Sequence, residues 1–186
     1  MDAKERKITD AALRLYHRHG YRKVTMMDIA AEAGMSRPSL YASFANKEAI
    51  FAALVSRHAG EHEVEAARET ARVEGLRERL EILFEIWILR PVATVIDSEN
   101  GADLLANAAV YSPEATTALY VRFERQLREI LQPAMAADGD LSAADLAHIL
   151  MMATRGLKAT TATLAELRRL VRGLITRAVA TAEGPR

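Results

Sequence analysis

Apolar residues in this sequence recur at spacings of three and four, and no run alternates apolar β-branched residues with polar ones. Spacings of three and four place apolar side chains on one face of an α-helix, whereas alternation is typical of a half-buried strand. Ala, Leu, Glu and Arg, which favour helices, dominate throughout. The sequence therefore predicts an all-α fold.

With 186 residues, half of them hydrophobic, the chain is long enough to fold around a core of its own. It contains no cysteine, which excludes disulfides, thiolate metal sites and cysteine nucleophiles. Its apolar stretches are broken by charge before the roughly 18 residues that a membrane span needs. The opening MDAKERK also lacks the apolar run of a signal peptide. We therefore expect a cytoplasmic protein with no membrane segment.

Charge is distributed unevenly along the chain, although the formal net charge is zero. Residues 1–50 contain nine Lys or Arg and six acidic residues, which gives +3. Residues 51–186 contain sixteen basic and nineteen acidic residues, which gives −3. A basic segment of this kind is compatible with nucleic-acid binding.

The first 25 residues predict one amphipathic helix and the start of a second. One apolar stripe marks the first helix, which Gly20 is suited to end in a left-handed conformation. Thr25 can cap the second helix, and Asp28 three positions later completes a variant of the capping box. Val24 can staple onto Ile29.

The second helix is short, because Gly34 follows after about two turns. Ser36 then predicts the cap of a third short helix, in whose first turn Pro38 is tolerated. Leu40 and Phe44, four positions apart, give this third helix an apolar anchor.

Asn46 can cap a fourth helix, which we expect to end at Gly75. Further helices are predicted over 76–90, 92–107, 113–135, 142–160 and 164–181. They are separated by Pro91, Pro113, Pro133 and an Asp138-Gly139-Asp140 turn.

Two short helices joined by a glycine-containing turn and preceded by a supporting helix form a helix-turn-helix arrangement. Its second helix presents N-terminal side chains to base edges in the major groove. Here that helix offers Arg37, Ser39, Tyr41 and Ser43 outward. Arg37 suits a bidentate contact to guanine, and Pro38 can pack on a thymine methyl group. Thr25, Tyr41 and Lys47 are placed to hold phosphates.

The run from Val24 to Glu48 resembles the DNA-binding signature of TetR-type regulators, and its Leu40-Tyr41-x-x-Phe44-x-x-Lys47 ending is highly specific. Ala11, Ala12, Leu15, Tyr16, Gly20 and Tyr21 continue the match. The resemblance implies a dimeric repressor of a palindromic operator, whose C-terminal helices form a ligand pocket and a four-helix dimer interface. It also implies that the operator contacts are Thr25, Arg37, Ser39, Tyr41 and Lys47.

These observations divide the chain into a helix-turn-helix domain over 1–50 and a helical ligand-binding and dimerisation domain over 51–186. Helices 142–160 and 164–181 carry more apolar surface than a terminal helix pair would bury alone, which favours a homodimer. Candidate ligand contacts are Phe84, Trp87, Tyr111, Phe123, Met151 and Arg155, and their apolar weighting indicates a hydrophobic or aromatic small molecule.

Core packing is the simpler explanation for Phe84 and Trp87, and Met151 and Met152 can fill gaps in a core as well as line a pocket. Several polar side chains lie in otherwise apolar predicted helices: Arg90, Asp97, Asn107, Tyr111, Arg155 and Lys158. Each of them alone is compatible with a surface or intersubunit pair.

Two other functions remain open. The first is a DNA-binding regulator without a small-molecule switch. The second is an all-α metal-dependent enzyme built on His58, Glu61, His62 and Glu65, because histidines four positions apart share a helix face and can bind zinc. The sequence has no nucleophile elbow and no glycine-rich phosphate loop. A solvated, charged helix face also explains those four residues, so we predict no enzyme activity, no cofactor and no metal.

Overall fold

The computed structural model describes residues 1–95, 98–135 and 141–183. Within those ranges the secondary structure is helical throughout, with no strand, so the all-α prediction is confirmed. The α-helices are α1 (Ala3–His19), α2 (Met26–Glu32), α3 (Arg37–Tyr41), α4 (Lys47–Thr70), α5 (Leu76–Phe84), α6 (Arg90–Ala93), α7 (Glu99–Tyr111), α8 (Pro113–Leu131), α9 (Ala143–Thr160) and α10 (Leu164–Glu183). No described helix is both long and apolar enough to cross a membrane.

The described residues form two compact units. The first contains those of Met1–Ala59 and Thr94–Leu119, and the second contains those of Gly60–Ala93 and Tyr120–Arg186. This division groups α7 with the amino-terminal helices, although α7 lies far along the chain. The two functional domains, 1–50 and 51–186, stay a prediction.

The first unit has a core in which α1 packs against α2 and α7, and α2 packs against α3. Ile8, Ile29, Leu40 and Ile50 have no exposed surface. These side chains come from α1 to α4, so one apolar cluster fixes the helix-turn-helix to its supporting helices.

The second unit is organised around α10, which packs against both α5 and α9. Phe84 and Phe123 are fully buried, with their rings 5.4 Å apart and nearly perpendicular. Trp87 lies 5.9 Å from Phe123, measured between ring centroids. Edge-on pairs of this kind stabilise a core by about 0.5–1.5 kcal/mol beyond the burial of their area.

The predicted break at Pro91 is wrong, because the helix that starts at Leu76 continues to Ala93. A π-helical turn over Glu85–Leu89 precedes the proline, and the amide of Arg90 bonds five residues back to the Glu85 carbonyl. Proline has no amide hydrogen, and its ring clashes with the carbonyl four residues back in a regular helix. The wider turn relieves that clash, so proline is accommodated without ending the helix.

The predicted helix 92–107 is therefore wrong, since α7 begins only at Glu99 behind the Ser98 cap. The fourth helix ends at Thr70 rather than at Gly75, which instead precedes the first turn of α5. Helix α8 ends at Leu131, and Pro133 lies in a 3-10 turn, Gln132–Ala134. Asp97 and the predicted Asp138-Gly139-Asp140 turn lie outside the described residues.

We expect two glycine-to-alanine changes inside helices to have opposite effects on stability. A Cβ at Gly101 would lie 2.7 Å from the Val95 Cβ and carbonyl oxygen, so Gly101→Ala should lower the free energy of unfolding by about 1–3 kcal/mol. A Cβ at Gly60 would meet its nearest atom, an Arg122 nitrogen, at 3.8 Å. Gly60→Ala should raise the free energy of unfolding by about 0.5–1 kcal/mol. Urea denaturation measures both free energies of unfolding. Equal stability of the two variants would contradict the close approach of Val95 to Gly101.

Candidate nucleic-acid interface

The first feature of the candidate interface is the amino-terminal end of α2, where the predicted capping box is present. The Thr25 hydroxyl accepts a hydrogen bond from the Asp28 amide at 3.2 Å, and an Asp28 carboxylate oxygen accepts one from the Thr25 amide at 2.8 Å. Val24 and Ile29 are both buried in the same apolar cluster, as the predicted staple requires. Thr25 itself is exposed, and its hydroxyl also donates to the Asp28 carboxylate at 2.7 Å, so a phosphate would have to take this donor from Asp28.

The turn between α2 and α3 is a Schellman motif closed by Gly34. The Gly34 amide bonds to the Ala31 carbonyl and the Met35 amide bonds to the Ala30 carbonyl, both at 3.0 Å. Gly34 has φ +59°, a left-handed conformation that glycine adopts without a steric cost. Local sequence thus fixes the angle at which α3 leaves α2.

Helix α3 presents a polar face to solvent because its other face is anchored. The Ser36 hydroxyl accepts a hydrogen bond from the Ser39 amide at 3.3 Å and so caps the helix. Leu40 is fully buried and Phe44 nearly so. Burial of Leu40 fixes the rotation of this short helix about its own axis, and Phe44 anchors the chain just after α3 ends.

Of the side chains predicted to point outward, Arg37 and Tyr41 are exposed, whereas Ser39 and Ser43 are half-buried. Pro38, the predicted thymine contact, is also exposed. The guanidinium carbon of Arg37 lies 5.5 Å from the centre of the Tyr41 ring, within the range of a cation–π contact. This contact keeps a cation and an aromatic hydroxyl side by side on the exposed face.

Lys47 is half-buried and bonds to the protein itself. Its ammonium donates to the carbonyl oxygens of Tyr21, at 2.9 Å, and Val24, at 3.0 Å, and lies 4.3 Å from the centre of the Tyr21 ring. Burial lowers the pKa of this ammonium below its usual value. Two of its three donors are therefore committed to the turn before Thr25.

The tether from Lys47 to the turn was missed by sequence reasoning, which placed Lys47 on a phosphate alone. No local pattern links a lysine to carbonyls more than twenty positions earlier. The aromatic residues Tyr16, Tyr21 and Phe51 were the available signal, because their rings gather in the core beneath this lysine.

The two carboxylates of α2 both have hydrogen-bond partners within the first unit. Glu32 pairs with Arg14 at 2.9 Å, and this bond lowers the pKa of Glu32. Hydrogen bonds from the Thr25 side chain and backbone likewise lower the pKa of Asp28. The carboxylates of α2 thus each have a donor from the protein.

Five of the six predicted ligand contacts lie in the second unit. Phe84, Trp87 and Phe123 are brought together, and Met151 is buried. Arg155 is exposed, with its guanidinium carbon 5.0 Å from the Tyr120 ring centre. Tyr111 instead belongs to the first unit, where it stacks on Tyr21.

A buried polar pair next to these aromatic residues was also missed. The Trp87 indole donates to the Gln126 side-chain oxygen at 2.7 Å, and the Gln126 amide nitrogen donates to the Glu63 carbonyl at 2.9 Å. The His62 ring lies edge-on to Trp87 at 5.6 Å. Within the described ranges, no three histidine and acidic side chains are grouped closely enough to hold a metal ion.

Comparison with known proteins identifies the amino-terminal helices. Residues 8–54, which span α1 to the first part of α4, match the family described as bacterial regulatory proteins, tetR family. Residues 8–54 are a TetR-family domain. All the residues predicted to contact DNA lie within this TetR-family segment.

One curated relative aligns with more of this chain than the TetR-family segment alone. The HTH-type transcriptional repressor ComR of Escherichia coli (strain K12) is 28% identical over 110 residues, which cover 57% of this chain and 50% of ComR. The chain thus spans about half the length of this relative.

Solved structures with the same fold cover nearly the whole chain. The fatty acid degradation regulator FadR from Bacillus halodurans has a TM-score of 0.74 at 17% identity, over 94% of this chain and 95% of FadR. FadR from Bacillus subtilis, solved in complex with stearoyl-CoA, has a TM-score of 0.67 at 17% identity, over 97% and 98% of the two chains. The predicted fold class, a TetR-like helix-turn-helix followed by a helical carboxy-terminal part, is confirmed.

The capping box of α2 predicts how the stability of this TetR-family segment depends on pH. Because the folded pKa of Asp28 is lowered, its contribution is complete above the unfolded value of about 3.9 and is lost as the pH falls through the folded pKa. We expect wild type to exceed Asp28→Asn in free energy of unfolding at pH 7, with the difference shrinking below pH 4. Urea denaturation from pH 7 to pH 3 measures this.

Asp145→Asn is the matched variant, because Asp145 closes the equivalent box with Ser142 at the start of α9 and also has a lowered pKa. It should show the same trend. If the stability difference between wild type and either variant grew as the pH fell, the lowered pKa of that aspartate would be contradicted.

Proposed function

We propose that this protein is a dimeric transcriptional repressor that binds a palindromic operator through residues 1–50. In this proposal residues 51–186 dimerise and bind a small, largely hydrophobic ligand that releases the DNA. The protein acts by binding and has no enzyme activity.

The arrangement of α3 carries the DNA-binding part of the proposal. With Leu40 and Phe44 anchored in the core, Arg37 and Tyr41 remain exposed. An exposed arginine at the start of such a helix suits the two acceptors of guanine in the major groove. Thr25, at the amino-terminal end of α2, suits a phosphate oxygen.

Electrostatics favour the same surface. Residues 1–50 carry a formal charge of +3, and the remainder of the chain carries −3. Phosphate contacts from a basic surface release counterions, which makes DNA binding weaker at higher salt. The name of the relative ComR, a transcriptional repressor, supports repression rather than activation.

Helices α9 and α10 support the dimer. They pack against each other, yet Ile149 on α9 is 51% exposed and Met152 is 49% exposed. Gly156 and Gly173 lie inside these helices, and a Cβ at either would meet no described atom within 4 Å. Each helix-interior glycine costs about 1 kcal/mol relative to alanine. Close approach of a second copy explains both the exposed apolar side chains and the glycines.

The second unit supports a hydrophobic ligand. Phe84, Trp87 and Phe123 form an aromatic cluster with one polar group, Gln126, hydrogen-bonded to the indole. Sites for small molecules combine apolar walls with a few placed polar groups. FadR from Bacillus subtilis, which shares the fold, was solved with stearoyl-CoA, a ligand with a long apolar chain. Trp87 is the only tryptophan, so its fluorescence reports on this cluster.

We expect the full-length protein to enrich one palindromic motif from a random duplex DNA library. Arg37→Ala should weaken binding to that duplex by roughly 5- to 150-fold, the equivalent of the 1–3 kcal/mol of one bidentate base contact. Fluorescence anisotropy at two salt concentrations measures the affinity and its salt dependence.

Arg72→Ala is the matched control for Arg37→Ala, because Arg72 is an exposed arginine of the second unit that lies outside the proposed dimer helices α9 and α10. It should bind the selected duplex as wild type does. Enrichment of no duplex, or equal losses in the two variants, would rule out the proposed reading of DNA by α3.

The dimer is tested by placing a charge on the exposed face of α9. Burial of an unpaired carboxylate in an interface is costly, so Ile149→Glu should halve the molar mass measured by light scattering after size exclusion. Val64→Glu is the control, since Val64 is 71% exposed on α4 and should leave the mass unchanged. A monomeric wild type, or a dimeric Ile149→Glu variant, would contradict this interface.

A further inference from the structure

Helix α7 lies outside the TetR-family segment but within the first compact unit. Leu104 and Tyr111 of α7 are buried in the same apolar cluster as α1, α2 and α3, and Ala108 packs against that cluster. A helix far along the chain thus completes the core beneath the candidate DNA-binding surface.

The carboxy-terminal end of α7 is held by an aromatic stack. The Tyr111 ring is stacked on Tyr21 with centroids 3.9 Å apart and planes 21° apart, and it meets Phe51 edge-on at 5.8 Å. Its hydroxyl donates to an Asp103 carboxylate oxygen at 2.9 Å. Burial and this hydrogen bond raise the pKa of Tyr111, so the phenol stays neutral.

The amino-terminal end of α7 is held by an amide. The Asn100 side-chain nitrogen donates to the His17 carbonyl, in the last turn of α1, at 3.1 Å. Gly20, which ends α1 with φ +80°, approaches so closely that a Cβ there would lie 2.9 Å from the Asn100 side-chain oxygen. Helix α7 therefore contacts the turn after α1 at both of its ends.

That turn leads directly to the start of α2. Lys47 holds the carbonyls of Tyr21 and Val24, and the Tyr21 hydroxyl donates to Glu48 at 3.3 Å. Thr25, the cap of α2, is the next residue. A continuous set of contacts thus joins Tyr111, through Tyr21 and Val24, to the residue proposed to hold a phosphate.

We propose that Asn100 and Tyr111 are positioning residues for DNA binding, which fix the Gly20–Val24 turn and thereby the placement of Thr25 at the end of α2. They do not contact DNA in this proposal. The inference rests on the proposed DNA-binding function, and it extends the determinants of affinity to a helix outside the TetR-family segment.

The affinity test uses the full-length protein and the duplex that wild type enriches from a random library. Tyr111→Ala should weaken binding about three- to tenfold, which corresponds to the loss of one aromatic pair, and Tyr111→Phe, which keeps the stacked ring, should restore most of it. Asn100→Ala should also weaken binding. Tyr120→Ala is the matched control, because Tyr120 lies in the second unit against Arg155 and Lys158.

A double-mutant cycle separates positioning from general destabilisation. If Tyr111 acts through Thr25, then Thr25→Ala should cost less affinity in the Tyr111→Ala background than in wild type. Strictly additive losses, or wild-type affinity of both Tyr111→Ala and Asn100→Ala, would overturn the proposal.

Hydrogen exchange tests the same link without DNA. The Asp28 and Ile29 amides bond to the Thr25 hydroxyl and carbonyl, so they should exchange faster in Asn100→Ala and Tyr111→Ala than in Tyr120→Ala. Unchanged exchange would overturn the positioning role. If wild type enriches no duplex while amide exchange changes as expected, the proposed DNA-binding function is wrong. The effect of Asn100 and Tyr111 on the start of α2 is then still supported. Should Tyr111→Ala not fold, Asn100→Ala carries both measurements.

Discussion

The burial of four aromatic rings in the first unit is the constraint on which the candidate DNA-binding surface depends. Tyr16, Tyr21 and Phe51 come from α1, the following turn and α4, and Tyr111 comes from α7. Burial raises the pKa of Tyr16 and of Tyr21, so both phenols are neutral at pH 7. Because the rings meet in tilted, edge-on or stacked pairs, each fixes the orientation of the next.

Above this core, the candidate DNA-binding surface is built from short helices and turns that local contacts stabilise. A short helix has little stability of its own, because nucleation of the first turn is unfavourable. The caps at Thr25 and Ser36, the Schellman turn at Gly34 and the anchor at Leu40 compensate for this. The Lys47 ammonium adds two long-range hydrogen bonds, which tie the fourth helix to the turn before the second.

Features that depend on neighbours in sequence could be predicted, and features that depend on the fold could not. The caps at Thr25, Ser36 and Asn46 bond to residues three positions away, so the spacing alone identified them. Helix periodicity also predicted the all-α class. The partners of Lys47 lie more than twenty positions away, and those of Tyr111 lie in helices that only folding brings together. The passage of the helix through Pro91 depended on a π turn, for which the sequence has no established signal.

The π turn also changes the direction in which later side chains point. A π turn accommodates about one residue more than an α turn, and each residue advances an α-helix by roughly 100°. Removing one residue from Glu85–Leu89 would therefore leave the packing of Leu80 and Leu83 in place while turning the buried Val92 away from its present neighbours. In the segment Leu76–Ala93, the length of one turn thus sets how the helix after it is rotated relative to the helix before it. A single insertion or deletion there would change which side chains of the second part face the core, while the first part stayed folded.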